Sequence, residues 1–221
     1  MSEKITADYL ESFLGNRRLM DQLTFILEAE KLKTILRRTL LLDRSRVETD
    51  AEHTWQLALM ALVLSEYSDE PVDLQKVLKM LLIHDIVEID AGDTFAYDSV
   101  ARVSQVEREL KAADRIFALL PLDQAKEFRA LWDEFELKQT SEARFANAMD
   151  RMQPLLHNFF TNGGTWDSNG VTATDVHRRM EPIGKASAAL GALSDKLIAL
   201  AVEQGILAPA KVAEAVGQKA P

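Results

Sequence analysis

Helical periodicity runs through most of this chain, and no segment alternates apolar and polar residues cleanly over more than a few positions. Glycine (9) and proline (6) are scarce among the 221 residues, while Leu, Ala, Glu, Lys and Arg dominate. Those five favour helix almost throughout. The pattern predicts an all-α domain of several packed helices. There is no Pro/Gly-rich linker to divide it, so residues 1–221 read as a single domain. A chain of this length buries a substantial core.

The expected helices cover 9–30 with a break near Gly15, then 31–38, with a charged irregular segment at 39–48. Thr49-Asp50-Ala51-Glu52 is a capping box that starts a helix reaching about Tyr67. Trp55, Leu59, Leu62 and Val63 form its expected core stripe. Asp73 is the expected cap of a helix over 74–89, with Val77, Leu78, Leu81 and Leu82 as its apolar face and Gly92-Asp93 as its end. Further helices are expected at about 99–119, 122–137, 141–160, 175–204 and 209–217. The stretch 159–170, with Asn162-Gly163-Gly164 and Ser168-Asn169-Gly170, is the clearest loop.

The formal charge is −9. An acidic chain does not attract nucleic acid or an anionic membrane over its whole surface, although a local basic pocket for a small phosphate ligand remains compatible with it. With no cysteine, thiolate ligands and disulfides are excluded, and any metal must be held by nitrogen and oxygen. The first fifteen residues contain no apolar signal segment, and runs such as Leu40-Leu41-Leu42 are too short to span a bilayer. A soluble, cytoplasmic protein is the expectation.

Only four histidines occur, at 53, 84, 157 and 177. His84-Asp85 lies between apolar residues, in Leu81-Leu82-Ile83-His84-Asp85-Ile86-Val87. An ionised Asp there is costly unless it is paired or bound to a cation, and imidazole is the commonest nitrogen ligand for transition metals. Glu88 follows His84 by four residues, within reach of a proton at the same site. Taken alone, a His-Asp pair is more often a satisfied buried histidine beside an ordinary acid. Likewise, His53 alone is more often a surface histidine of a first helical turn. Asp150 borders the apolar stripe of Phe145, Met149, Met152 and Leu156, with Gln153 and His157 continuing the polar ridge at i+3 and i+7. An Asp–Arg surface pair explains Asp150 equally well.

Together these blocks resemble the HD-domain metal-dependent phosphohydrolases. Thr49-Asp50-Ala51-Glu52-His53-Thr54-Trp55 is similar to that family's first-histidine helix. Ile83-His84-Asp85-Ile86-Val87-Glu88, followed by Ala91-Gly92-Asp93, is similar to its 5′-deoxynucleotidase branch. Met149-Asp150-Arg151-Met152-Gln153-Pro154 resembles its final-aspartate helix. The likeness runs over about 31–158.

The resemblance implies a helical bundle around one divalent ion (Mn, Co, Fe, Ni, Zn or Mg) held by His53, His84, Asp85 and Asp150. It implies that Glu88 assists proton transfer, that Asp93 orients water or a sugar hydroxyl, and that Arg38 holds phosphate. The expected activity is release of phosphate from (deoxy)nucleoside 5′-monophosphates by a homodimer, with residues 174–221 serving packing or dimerisation. Arg44 and Arg46 are weaker phosphate candidates. The branch carries a Trp after its Arg, and Thr39 stands there instead. Other readings are a hydrolase of a dNTP, an alarmone or a cyclic dinucleotide, and a non-catalytic metal- or nucleotide-binding module. Ile89 after Glu88 departs from the alarmone branch, and Ile86-Val87 after Asp85 departs from the triphosphohydrolase branch.

Overall fold

The computed structural model describes residues 15–92 and 104–210. Helix α1 (Arg17–Ala29) is capped by the Asn16 side chain and runs into a 3-10 turn at Glu30–Thr34. Strands β1 (Leu36–Leu40) and β2 (Val47–Thr49) then form an antiparallel hairpin. Helices α2 (Asp50–Leu64), α3 (Leu74–Ile83) and the short α4 (Glu88–Ala91) follow. Beyond them come α5 (Gln105–Phe117), α6 (Leu122–Leu137) and α7 (Ser141–Phe160). The last elements are the single turn α8 (Thr165–Ser168), α9 (Ala173–Ala186) and α10 (Ala188–Glu203). The all-α expectation holds, with one small hairpin added. Among the described residues, no helix is long and apolar enough to cross a membrane.

The hairpin corrects the helix expected at 31–38 and the irregular segment expected at 39–48. Leu36 pairs with Thr49 and Leu40 with Val47, so β1 carries two more residues than β2 between these pairs. That is a bulge, which bends a strand and re-aims its side chains. Leu36 and Leu42 point outward, as an apolar-pattern reading would not suggest.

Helix α2 starts at the expected capping box, with the Thr49 hydroxyl on the Glu52 N–H and the Glu52 carboxylate on the Thr49 N–H. Its buried face is not the expected one. Trp55, Leu59, Leu62 and Val63 are exposed, and Asp50, His53, Thr54, Leu57 and Ala61 are buried. The helix is apolar on its outer side and carries polar groups inward, because those groups build the site. On α3, Val77 and Leu81 are buried as expected, whereas Leu82 is exposed and Met80 and Ile83 take core positions.

Helix α7 is the central element. Phe145, Met149 and Met152 are fully buried, and α2, α3, α6, α9 and α10 all pack against it. Its bounds, and those of α6, match expectation. The helix expected over 175–204 is split at Ser187, which ends α9 and caps α10 through its side chain. Residues 9–14, 93, 99–103 and 211–217 lie outside the described residues, so those parts of the expected elements do too.

Helices α9 and α10 cross at two glycines. A Cβ on Gly191 would lie 2.6 Å from the Gly184 Cα, whereas one on Gly184 would meet that backbone only at 3.9 Å. Alanine gains about 1 kcal/mol over glycine in a helix, and overpacking costs about 1–3 kcal/mol. Gly184→Ala is therefore expected to raise the denaturation midpoint, and Gly191→Ala to lower it. Paired urea titrations check the opposite signs.

Candidate metal centre

Three segments converge on one cluster. The N-terminal turn of α2 brings His53, the end of α3 brings His84 and Asp85, and the middle of α7 brings Asp150. His84 and Asp85 do not sit on a continuous helix, as the reading of 74–89 supposed. Helix α3 stops at Ile83 and the chain tightens into a 3-10 turn over His84–Val87. Such interruptions are frequent at functional positions. Phe135 packs on the His84 ring at 5.0 Å between centroids, and Trp132 Nε1 donates to the His84 carbonyl at 3.2 Å. The turn is thereby fixed by α6.

The two imidazoles are oriented by their outer nitrogens. His84 Nδ1 donates to the Leu81 carbonyl at 2.8 Å. His53 Nδ1 donates to Gln153 Oε1 at 3.1 Å, and the Gln153 amide is set by Nε2 donating to Glu48 at 2.8 Å. In each ring the Nε2 lone pair is then left facing inward. There it meets carboxylates: His53 Nε2 lies 3.1 Å from Asp150 Oδ1, and His84 Nε2 lies 3.1 Å from Asp85 Oδ1 and 3.8 Å from Asp150 Oδ1. Asp85 Oδ2 is 3.8 Å from His53 Nε2. Ligand atoms of His53, His84 and Asp150 all lie within 4.8 Å of one another. The fourth residue, Asp85, borders that group through both histidines.

Lone pairs facing carboxylate oxygens at such distances require a cation between them. Without a metal, that cation is a proton. Burial pulls the His84 imidazole down, yet the Asp85 and Asp150 carboxylates raise it well above its usual value. Burial and Arg37 lower His53, against Asp150 and Asp85. Burial opposes ionisation of Asp85, but His84 and Arg37 hold it down at about 2. Burial likewise opposes ionisation of Asp150, and the two histidines keep it well below the usual carboxylate range. Two ionised carboxylates and two inward imidazole nitrogens fit a divalent ion, which replaces the proton.

Arg37, the neighbour of the expected phosphate residue Arg38, is part of this cluster. Its Nη1 donates to Asp50 at 3.0 Å and to Asp85 at 2.9 Å, and its Nε is 3.6 Å from Glu48. The β1 bulge lets consecutive arginines both reach the same cavity, which Arg38 and Thr39 also line. The doubled Arg37-Arg38 was the available signal. A further set that the sequence showed only as a ridge is Gln153 with His157, whose Nδ1 donates to the Leu40 carbonyl. Burial raises Glu48, beside them, to about 7 against the pull of Arg37 and Gln153.

The cavity has a volume of about 180 Å³ and reaches from His84, Asp85, Glu88 and Asp150 to Lys138, Arg151 and Arg179. Glu88 is buried at its edge. Arg46 instead pairs with Glu52 on the surface, and Arg44 occupies a left-handed turn position. Asp93 lies outside the described residues.

A helical bundle with a histidine and carboxylate centre of this order defines an HD domain. The chain belongs to the HD domain family, whose model matches residues 29–190. It is similar to a predicted metal-dependent phosphohydrolase from Magnetospirillum magnetotacticum MS-1, known as a crystal structure. The two are 56% identical, with a TM-score of 0.84 over 87% of this chain and 96% of that one. It also matches the 5′-deoxynucleotidase HDDC2 of Bos taurus at 33% identity over 109 residues, 49% of this chain and 52% of that protein. The human HDDC2 is 31% identical over 111 residues, 50% and 53% of the two chains. The chain thus spans about half the length of the curated relatives it matches. The PH0347 protein of Pyrococcus horikoshii OT3, 19% identical with a TM-score of 0.60 over 80% and 99% of the two chains, shares the fold.

Outer-shell partners of metal-bound histidines typically contribute roughly 10–100-fold in metal affinity. Gln153→Leu is expected to weaken Mn²⁺ binding by about that factor, with a stoichiometry still near one. Calorimetric titration of wild type and variant provides the check, and an unchanged affinity would remove Gln153 from the account of His53.

Proposed function

We propose that the chain is a metal-dependent phosphohydrolase that releases phosphate from (deoxy)nucleoside 5′-monophosphates. The observation that carries the reading is the pair of inward Nε2 lone pairs facing Asp85 and Asp150 at the floor of a cavity lined by arginines. The names of the similar proteins point the same way. His53, His84, Asp85 and Asp150 would hold one divalent ion. Mn, Co, Fe, Ni, Zn and Mg all suit an N/O donor set, and affinity alone does not choose among them. Such an ion supplies Lewis acidity toward a phosphoryl oxygen and lowers the pKa of water.

The chain's own groups do the rest. His53 and His84 keep their Nδ1 protons on Gln153 and Leu81, so their inner nitrogens stay available. Arg37 neutralises Asp85 and Asp50 and holds Asp85 in place. Glu88, four residues from His84, takes or returns the proton of the hydrolytic step. Arg38 offers the substrate phosphate a planar fork of donors. Asp93 orients the attacking water or a sugar hydroxyl, an assignment supported by the family resemblance. Thr39 lines the cavity where the branch carries an indole, so the proposal covers ribose as well as deoxyribose substrates.

A cytoplasmic homodimer completes the proposal. The exposed stripe of Trp55, Leu59, Leu62 and Val63 on α2 supports self-association, and the acidic, cysteine-free composition supports the compartment. Trp55→Glu is expected to shift the mass measured by light scattering from two chains to one.

The activity test is phosphate release from dNMPs, NMPs and NTPs by Mn²⁺- or Co²⁺-loaded protein. Release from at least one monophosphate is expected, with losses of at least about 100-fold in folded Asp85→Ala and Glu88→Ala. Glu88→Ala should keep wild-type metal content. Undiminished turnover in Asp85→Ala would remove the metal assignment.

A further inference from the structure

The far side of the cavity holds cationic groups that the reaction proposed above does not use. Arg151 follows Asp150 on α7 and is 8% exposed. Its Nε and Nη1 are buried without a hydrogen-bond partner among the described residues, while its side chain lines the cavity. A buried guanidinium with two unpartnered nitrogens is rare and demands an explanation. Two more cations line the same cavity. Lys138 stands at the left-handed end of α6, at φ 56°, and Arg179 lies on α9. The three are close enough to act on one another. Burial pushes the Lys138 ammonium down, and Arg151 and Arg179 push it further against Glu136 and Asp150.

Lys138 already has Glu136 at 3.8 Å, so the unmet demand lies at Arg151, whose buried donors favour an anion entering the cavity beside it. Arg37 is not an equivalent site, because its guanidinium already serves Asp50, Asp85 and Glu48.

We propose that Arg151, with Lys138 and Arg179, forms a phosphate-binding subsite in this cavity, beyond the metal ligands. The fork of Arg151 supplies the directed donors, and the other two supply charge from α6 and α9. The subsite deepens the nucleotide reading, since it needs a phosphorylated ligand, but its binding test does not depend on turnover.

The experiment is calorimetric titration of the full-length, Mn²⁺-loaded protein with inorganic phosphate, alongside heat denaturation and metal analysis of each variant. Arg151→Gln is expected to weaken phosphate binding at least about tenfold, with metal content unchanged and the ligand-free denaturation midpoint unchanged or raised. Arg151→Lys should retain part of the affinity. Arg179→Gln, on a different helix, should weaken it several-fold and keeps the test alive if Arg151→Gln does not fold. Repeating the titrations with dAMP and deoxyadenosine 3′,5′-bisphosphate in a Glu88→Ala background, where turnover is suppressed, locates the phosphate. Equal losses put the 5′-phosphate on Arg151, and a loss confined to the bisphosphate puts a second phosphate there. Wild-type phosphate affinity in Arg151→Gln and Arg179→Gln overturns the proposal. So does a fall in midpoint and metal content that accounts for the lost binding, since Arg151 would then be a structural cation. If no monophosphate is hydrolysed yet phosphate binding depends on Arg151, the subsite stands and the catalytic reading falls.

Discussion

Glu48, Asp50, Asp85 and Asp150 crowd around two buried imidazoles and one partly buried guanidinium inside the helical fold. Removing a single carboxylate from water costs several kcal/mol even after relaxation, and only close counter-charges offset it. The fold around the cluster is arranged to supply them. Arg37 spans Asp50 and Asp85, and Gln153 joins His53 to Glu48. The remaining deficit is positive charge between the inward nitrogens and the oxygens of Asp85 and Asp150, which a divalent ion meets.

That requirement explains the irregular backbone nearby. The bulge in β1 delivers Arg37 to the carboxylates. The 3-10 turn at His84–Val87 lets adjacent residues contribute to one centre. Pro154 in α7 has no N–H to give the Asp150 carbonyl, so one helical hydrogen bond is missing in the turn after Asp150. Each departure weakens regular hydrogen bonding, and each lies within reach of the cavity. The rest of α7, by contrast, is packed from end to end with Phe145, Met149 and Met152.

Residue type, order and the family resemblance pointed to His53, His84, Asp85 and Asp150, and the fold brings these four side chains into one cluster. His84-Asp85 inside an apolar run is an anomaly that burial alone does not tolerate, and His53 and Asp150 gained meaning from their distance to it. Helix starts were readable where caps are local, as at Thr49 and Asp73. The buried face of α2 was not readable. An apolar stripe normally marks the core, but here the core side carries His53 and Asp50, so Trp55, Leu59, Leu62 and Val63 were turned outward. The part played by Arg37 was also out of reach, because strand alternation would send one of two consecutive arginines away, whereas Arg37 and Arg38 both line the cavity. Ser187 broke the last long helix through a cap that helical periodicity does not reveal.

The most direct test is anomalous scattering from a crystal of the protein soaked in Mn²⁺. The account predicts one strong peak per chain, at about 2.0–2.2 Å from His53 Nε2, His84 Nε2, and a carboxylate oxygen each from Asp85 and Asp150. No peak at the cluster, or a peak that leaves both histidine Nε2 atoms unligated, would contradict it.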